Sequence, residues 1–211
     1  MQSREHWERV YSTKSAEAVS WYQPHARQSL ALIRSTGVPS NGPIIDVGGG
    51  ASTLVDDLLD EGYASISVLD LSATALEAAR RRLGPRAASV TWLTGDVTTL
   101  SLPERTYAVW HDRAVFHFLT EEADRRAYVA NVLRSVAPMG HVIVATFAED
   151  GPTRCSGLPV ERYSPERLHA QFGEAFTLVG QERETHHTPS GGEQKFIYCY
   201  CRVAPARSPS A

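Results

Sequence analysis

From Pro43 onward, the apolar positions of this chain switch repeatedly between short continuous runs and a three-to-four-residue spacing. The runs Ile44 to Val47, Ser65 to Asp70, Ser89 to Thr94, Tyr107 to His111 and His141 to Phe147 predict buried strands. Helical patterns lie between them. Leu54, Val55, Leu58 and Leu59 share one face of a helix within Thr53 to Glu61, and Leu76, Ala79 and Leu83 share one face of the next, with Ser72 as N-cap. Thr120 is expected to cap a third, with Glu121, Glu122 and Asp124 in its first turn, where the helix dipole favours acids. Its apolar face is Tyr128, Val129, Val132, Leu133 and Val136. Ser164-Pro165-Glu166 opens another helix, with proline at the tolerated first position.

The pattern then changes. Phe176 to Arg183 and Lys195 to Val203 are extended runs separated by Thr188-Pro189-Ser190-Gly191-Gly192, which predicts an antiparallel pair at one sheet edge. Ahead of the sheet, His6 to Val10 and Ala26 to Thr36 read as helices near its carboxyl edge. The expected fold is α/β: a doubly wound, mostly parallel seven-stranded sheet with an antiparallel last strand, helices on both faces and an N-terminal helical lid. With no internal repeat and no dividing linker, residues 1–203 read as a single domain, 1–40 forming the lid and 43–203 the core; 204–211 reads as a disordered tail.

Composition narrows the function classes. At 211 residues and 42% hydrophobic content, the chain suits one globular domain with a full core. A net charge of -3 and a pI near 6.2 argue against nucleic acid as the main partner. No apolar run approaches the roughly 20 residues that span a bilayer, and Met1 to Tyr11 lacks a secretory apolar core. Cys155, Cys199 and Cys201 are too few for a disulfide framework, so a reducing cytoplasm is expected.

The chemistry concentrates at strand ends. Ile44-Ile45-Asp46-Val47-Gly48-Gly49-Gly50-Ala51-Ser52 is a strand turning sharply into a helix, with glycines where a ligand approaches the backbone. Thr53 stands where a dinucleotide fingerprint has its third glycine, and no Gly-Lys-Ser/Thr phosphate loop exists. Asp70, with Leu71 beside it, ends the next strand, where a carboxylate can accept both hydroxyls of a ribose or else cap the following helix. Asp96-Val97 follows the third strand. Tyr107 to Phe118 then carries His111, Asp112, Arg113 and His117 past the end of the fourth, facing the ligand crevice of a doubly wound fold. His111 and His117 are candidate bases or hydrogen-bonded structural residues; Asp112 and Arg113 either act in catalysis or pair with each other.

An apolar pair followed by D-x-G-x-G resembles motif I of class I S-adenosylmethionine (SAM)-dependent methyltransferases. That resemblance implies SAM as cofactor, with Asp46 near its methionyl amino end, Gly48, Gly49 and Gly50 against it, Asp70 on the ribose, Asp96 on the adenine amino group and the Val97 amide on a ring nitrogen. Trp110-His111-Asp112-Arg113-Ala114 resembles the W-D-R-G-A segment of thiopurine S-methyltransferases, with His111 as an extra residue. Gly157-Leu158-Pro159-Val160-Glu161-Arg162-Tyr163-Ser164 resembles their G-P-P-F-x-V-P-S loop, and His6 to Tyr11 the W-x-x-x-W entry of thiopurine and halide/thiol enzymes. Trp7, Tyr11 and Ser20-Trp21-Tyr22 also resemble seven-strand lysine methyltransferases, whose D-K-G-[TA] segment stands against Asp112-Arg113-Ala114-Val115.

The implied function is methyl transfer to a small-molecule acceptor, a thiol, sulfide or other soft nucleophile. A protein lysine methyltransferase and a non-catalytic SAM-binding module are the alternatives. Trp7, Tyr11 and Tyr22 are candidate acceptor contacts and Trp21 a cofactor contact, unless these aromatics simply pack a helix onto the sheet. Cys155, in the polar loop Glu149 to Gly157, is a further acceptor candidate, whereas Cys199 and Cys201 share one strand face and read as core. His186, His187 and Cys155 have no spacing that fixes a metal, and the reaction requires none.

Overall fold

A computed structural model describes residues 4–205. Seven strands form one sheet in the order β3-β2-β1-β4-β5-β9-β8. β1 is Ile44–Val47, β2 Ile66–Asp70, β3 Val90–Thr94, β4 Tyr107–Arg113, β5 Val136–Phe147, β8 Phe176–His187 and β9 Glu193–Val203. The first five are parallel; β9 runs antiparallel to both β5 and β8, giving the expected doubly wound, Rossmann-like sheet. Because the strand order reverses between β1 and β4, the crevice for a ligand opens at their carboxyl ends.

Successive strand residues feed opposite cores. Ile44, Val109 and Ile143 pack on the face covered by α2 (Arg27–Ser35), α3 (Leu54–Asp60) and α4 (Ala73–Leu83). Ile45, Trp110 and Val142 pack on the face covered by α5 (Glu122–Ser135) and α6 (Pro165–Ala170). Ser72 caps α4 by accepting from the Ala75 amide at 3.1 Å, and Ser164 caps α6 with Pro165 in its first turn. The helix α1 (Arg4–Thr13) precedes them. Among the described residues no helix is long and apolar enough to cross a membrane.

Several boundaries differ from the sequence pattern. Thr120 does not cap α5: its amide bonds Phe118 O at 3.0 Å, its carbonyl accepts from Arg125, and Glu121 takes the cap position without a side-chain bond. Val136 leaves the helix for β5, because Pro138 disfavours helical geometry just before it and Val136 pairs with Tyr107. Leu133, assigned to the apolar face, is 44% exposed. The ribbon β8–β9 runs further than the apolar runs suggest, to His187↔Glu193, closed by the Thr188–Gly192 turn. The loop holding Cys155 contains a short hairpin, β6 (Arg154–Cys155) and β7 (Leu158–Pro159). Ala204, the first residue of the expected tail, bonds Ala175 O at 2.8 Å; residues 206–211 lie outside the described residues.

Candidate active site

The glycine turn is tied to β2 by Gly48 N→Leu69 O at 2.7 Å and Gly49 N→Leu69 O at 3.3 Å. Gly48 has φ +71, and a Cβ there would sit 2.0 Å from Val115 Cγ2. A Cβ on Gly50, at φ +30, would sit 2.5 Å from Asp70 Oδ2. Protein side chains, rather than only a ligand, therefore fill the space the missing side chains leave, and the turn locks onto the two neighbouring strand ends. Arg82 of α4 grips its far end, donating to Ala51 O at 2.9 Å, Ser52 O at 2.6 Å and the Asp56 carboxylate.

Two neighbouring chambers open beyond this turn. A cleft is lined by Trp7, Tyr11, Trp21, Asp70, Leu71, Asp96, Val97, Arg113, Phe118 and Cys155 among others. A second space is lined by Tyr22, Asp46, Gly49 and His111 among others. Tyr11, Trp21, Gly48 and Arg113 border both. Asp70 accepts from Ser72 N at 2.7 Å, and burial raises its pKa to about 7 against the pull of that bond, with Asp46 and Glu8 adding repulsion. Asp96 turns its loop by accepting from the Thr98 amide and hydroxyl, and Asn131 of α5 holds the same loop through Val97 O at 2.7 Å.

The segment after β4 separates into distinct roles. His111 Nδ1 lies 2.7 Å from Asp46 Oδ1, both side chains buried against the second chamber. Arg113 does not pair with Asp112. It donates to Glu184 at 3.2 Å, to Tyr198 Oη at 3.1 Å and to Trp21 O at 3.4 Å, and its guanidinium lies 4.1 Å from the Phe196 ring centroid. Asp112 lines neither chamber. Its carboxylate accepts from Val115 N, Phe116 N and Tyr128 Oη at 2.8, 3.1 and 2.7 Å, so it shapes the loop; burial raises its pKa to about 6.

His117 also faces neither chamber. It is fully buried between Phe118 and Phe147, its Nδ1 accepts from Phe147 N at 3.3 Å, and burial followed by repulsion from Arg113 lowers its pKa to about 3. Its Nε2 is buried without a hydrogen-bond partner, and the ring lies outside both chambers rather than facing them as expected of a base for the acceptor. Gly50 stands behind Asp70 and lines neither chamber.

An aromatic roof covers the cleft. Trp7 meets Tyr11, Trp21 and Phe118 at centroid distances of 6.4, 5.8 and 5.1 Å, largely edge to face. Residues outside the sequence prediction hold it. Glu8 accepts from Ala73 N at 2.8 Å and Thr74 N at 3.3 Å, latching α1 onto the start of α4. The segment 20–26 is fixed at each step: Ser20 O to His186, Trp21 O to Arg113, Gln23 to Glu184, and Ala26 N to Asp57. His186 thus bonds backbone and His187 faces Glu193, and among the described residues no group of three or more His, Cys, Asp or Glu could hold a metal. The Cys155 thiol lines the cleft with its pKa pushed up by burial to about 12. Cys199 and Cys201 are buried core, sulfurs 3.4 Å apart.

The donor set fits SAM. Asp46 Oδ2 is buried without a partner beside Gly49, where an ammonium group would satisfy it, and Asp70 stands at the strand end that a ribose diol requires. Residues 44–140 match a family model described as a methyltransferase domain. A solved structure of a glycopeptide N-methyltransferase, MtfA, complexed with SAM shares the fold at TM-score 0.67, with 18% identity over 91% of this chain and 99% of that one. The core over residues 44–140 is a methyltransferase domain on a Rossmann-like sheet. SAM is its cofactor, with Asp46, Asp70 and Asp96 presented at three successive strand ends. The domain resembles the mouse eEF1A lysine and N-terminal methyltransferase, at 26% identity over 67% of this chain. It spans about a fifth of that relative's length, 20%. A structure described by the conversion of a disulfide bond into a thioacetal group during echinomycin biosynthesis matches 97% of this chain and 94% of its own, at TM-score 0.78 and 20% identity.

Proposed function

We propose that this domain, acting as one unit of lid and core over residues 1–203, transfers the SAM methyl group to a small soft nucleophile, a thiol or sulfide. The observation that carries this reading is the chemistry of the cleft beside the cofactor residues. Trp7, Tyr11, Trp21 and Phe118 roof it, and Arg113 and Cys155 supply its polar groups on that side. The carboxylates lining it, Asp70, Asp96 and Asp124, come from the ends of β2 and β3 and the first turn of α5. A roofed apolar site with an arginine suits an uncharged or anionic acceptor. A lysine side chain calls for an open acidic trough.

Bound SAM supplies a methyl group on a positively charged sulfur, ready to pass to a nucleophile. The protein's part is alignment and desolvation. Asp70 and Asp96 hold the nucleoside. The aromatic roof excludes water and offers ring faces to a cation. Arg113, held in place by Glu184, Tyr198 and the Trp21 carbonyl, stabilises a thiolate as the acceptor's proton leaves to solvent. Cys155 remains a protonated thiol and contacts the acceptor as a small soft surface. Tyr22, in the second chamber, contacts ligand from the segment that carries Trp21. The three free, buried cysteines accord with work in a reducing cytoplasm.

The likeness to the mouse enzyme favours a second reading, protein methylation. S-adenosylhomocysteine formation over a panel of thiols, sulfide, halides and a cell extract separates the two. Turnover with sulfide or small thiols is expected. Label transferred from SAM into a protein band, with thiols inert, would establish the second reading instead, and binding without turnover on any acceptor would leave a non-catalytic module.

A further inference from the structure

Among the described residues, Arg105, Ala114, Met139 and Ser156 are the non-glycine residues with positive φ. Of these, Ala114 alone lines the cleft, at φ +78. That region crowds the Cβ of an L residue against the backbone, and glycine is free of the cost. Neighbours on both sides hold the turn in this shape. Ala114 N donates to Ala145 O at 3.0 Å, continuing the pairing of β4 with β5. The Asp112 carboxylate accepts from the next two amides, Val115 N at 2.8 Å and Phe116 N at 3.1 Å. The Arg113 side chain is tied to Glu184, Tyr198 and the Trp21 carbonyl. A strained residue persists where its surroundings over-determine it, and such residues gather at functional sites.

Alanine supplies one thing here that glycine would not, a methyl group on the roofed side of the cleft. Ala114 packs against the apolar cluster that holds Trp7, Phe118 and Cys155, all of which line the same cleft, whereas Val115 packs on the opposite core. We infer that the Ala114 methyl group is a specificity determinant, filling the space beside the acceptor's reacting atom and turning away acceptors branched next to that atom. The inference rests on the proposed reading, in which Arg113, the residue before it, faces the sulfur of a thiol acceptor. Bulk farther from the sulfur meets the aromatic roof instead. One methyl group in a packed site discriminates by about tenfold or more, so a fixed strain in the backbone is a physically sufficient way to set this preference.

Ala114→Gly tests it with n-butanethiol and tert-butanethiol, which share a composition and differ in branching at the carbon bonded to sulfur. The variant is expected to raise kcat/KM for tert-butanethiol relative to n-butanethiol by about tenfold or more over wild type. Intrinsic differences in thiol reactivity cancel in that comparison. Its melting temperature is expected to rise by about 2–4 °C as the backbone is relieved. Affinity for S-adenosylhomocysteine by calorimetry should stay within about threefold, since no polar bond to the cofactor is removed. An unchanged ratio of the two thiols overturns the assignment. So does an equal fall for both, which would mean that alanine only stiffens the loop. A lower melting temperature overturns it as well, because the methyl group would then serve packing. Wild type inert toward n-butanethiol, smaller thiols and sulfide would instead remove the thiol reading itself, and the assignment with it.

Discussion

Asp70 illustrates what burying a carboxylate at a strand end does to stability. Burial holds its pKa near 7, above the ordinary carboxyl value, so the folded protein binds its proton more tightly than the unfolded chain does. The sign follows from linkage. Its favourable contribution is complete below the unfolded carboxyl pKa and is lost as pH rises through about 7. Asp112, raised to about 6, acts in the same direction. Ligand-free protein is therefore expected to melt higher at pH 5 than the remaining groups alone would set, and to carry a penalty at pH 8. Asp70→Asn keeps an acceptor for Ser72 N and removes the charge. We expect it to raise the melting temperature at pH 8 by roughly 3–6 °C, from about 1–2 kcal/mol, with little gain at pH 5. The same variant should weaken S-adenosylhomocysteine by about 1–3 kcal/mol, the scale of a lost charge-assisted bond. Calorimetry at the two pH values checks both; a lower melting temperature at pH 8 would show that the charge stabilises the empty site.

At the scale of elements, the lid depends on a contact no apolar pattern marks. Glu8 on α1 bonds the first amides of α4, and these bonds, with that of the Thr74 side chain, hold its pKa below the usual carboxylate value although burial pulls it upward. A carboxylate at a helix start is worth about 1 kcal/mol. Glu8→Ala should therefore raise amide exchange across 4–13 by about fivefold and speed release of S-adenosylhomocysteine, while the melting temperature falls by no more than about 4 °C. Hydrogen-exchange mass spectrometry reads the first effect; unchanged exchange would mean that the aromatic contacts of Trp7 hold α1 alone. Glu8 also explains what was legible in the sequence. Strand ends carrying Asp46, Asp70 and Asp96 follow from period and position, because a buried parallel strand leaves a strong local signature. Ser72 and Ser164 caps are equally local. Glu8, Arg82, Glu184 and Asn131 act across 26 to 161 residues of sequence, and one polar residue on a polar face announces nothing. Thr120 falls one residue short of the cap, because α5 begins at Glu122 and Glu121 takes the cap position. The polar face of β8 misled for another reason: Glu184 and His186 are covered by the segment 20–26, not by apolar side chains.

Across the whole molecule, the two tasks of the site are divided between parts with different constraints. On the proposed reading the cofactor is held by residues at the ends of parallel strands, where the sheet fixes position and register. On the same reading the acceptor meets α1, the segment 20–26, which side chains such as Arg113, Glu184 and His186 tie to the sheet, and the β6–β7 hairpin, whose following chain bonds β5 through Tyr163 N→Phe147 O at 3.1 Å. Selectivity should therefore change without loss of the cofactor when the roof is altered alone. Trp21 is the test, since it stacks edge-on against both Trp7 and Tyr11 and borders both chambers. Trp21→Ala is expected to raise kcat/KM for a bulky aryl thiol relative to methanethiol by about tenfold or more, the range that lost pocket contacts produce. Affinity for S-adenosylhomocysteine should change by less than about threefold, because the polar grip of Asp46, Asp70 and Asp96 remains. A parallel fall in both acceptor rates together with a large loss of cofactor affinity would place Trp21 on the cofactor side alone. In that case acceptor size would be set by Cys155 and its hairpin.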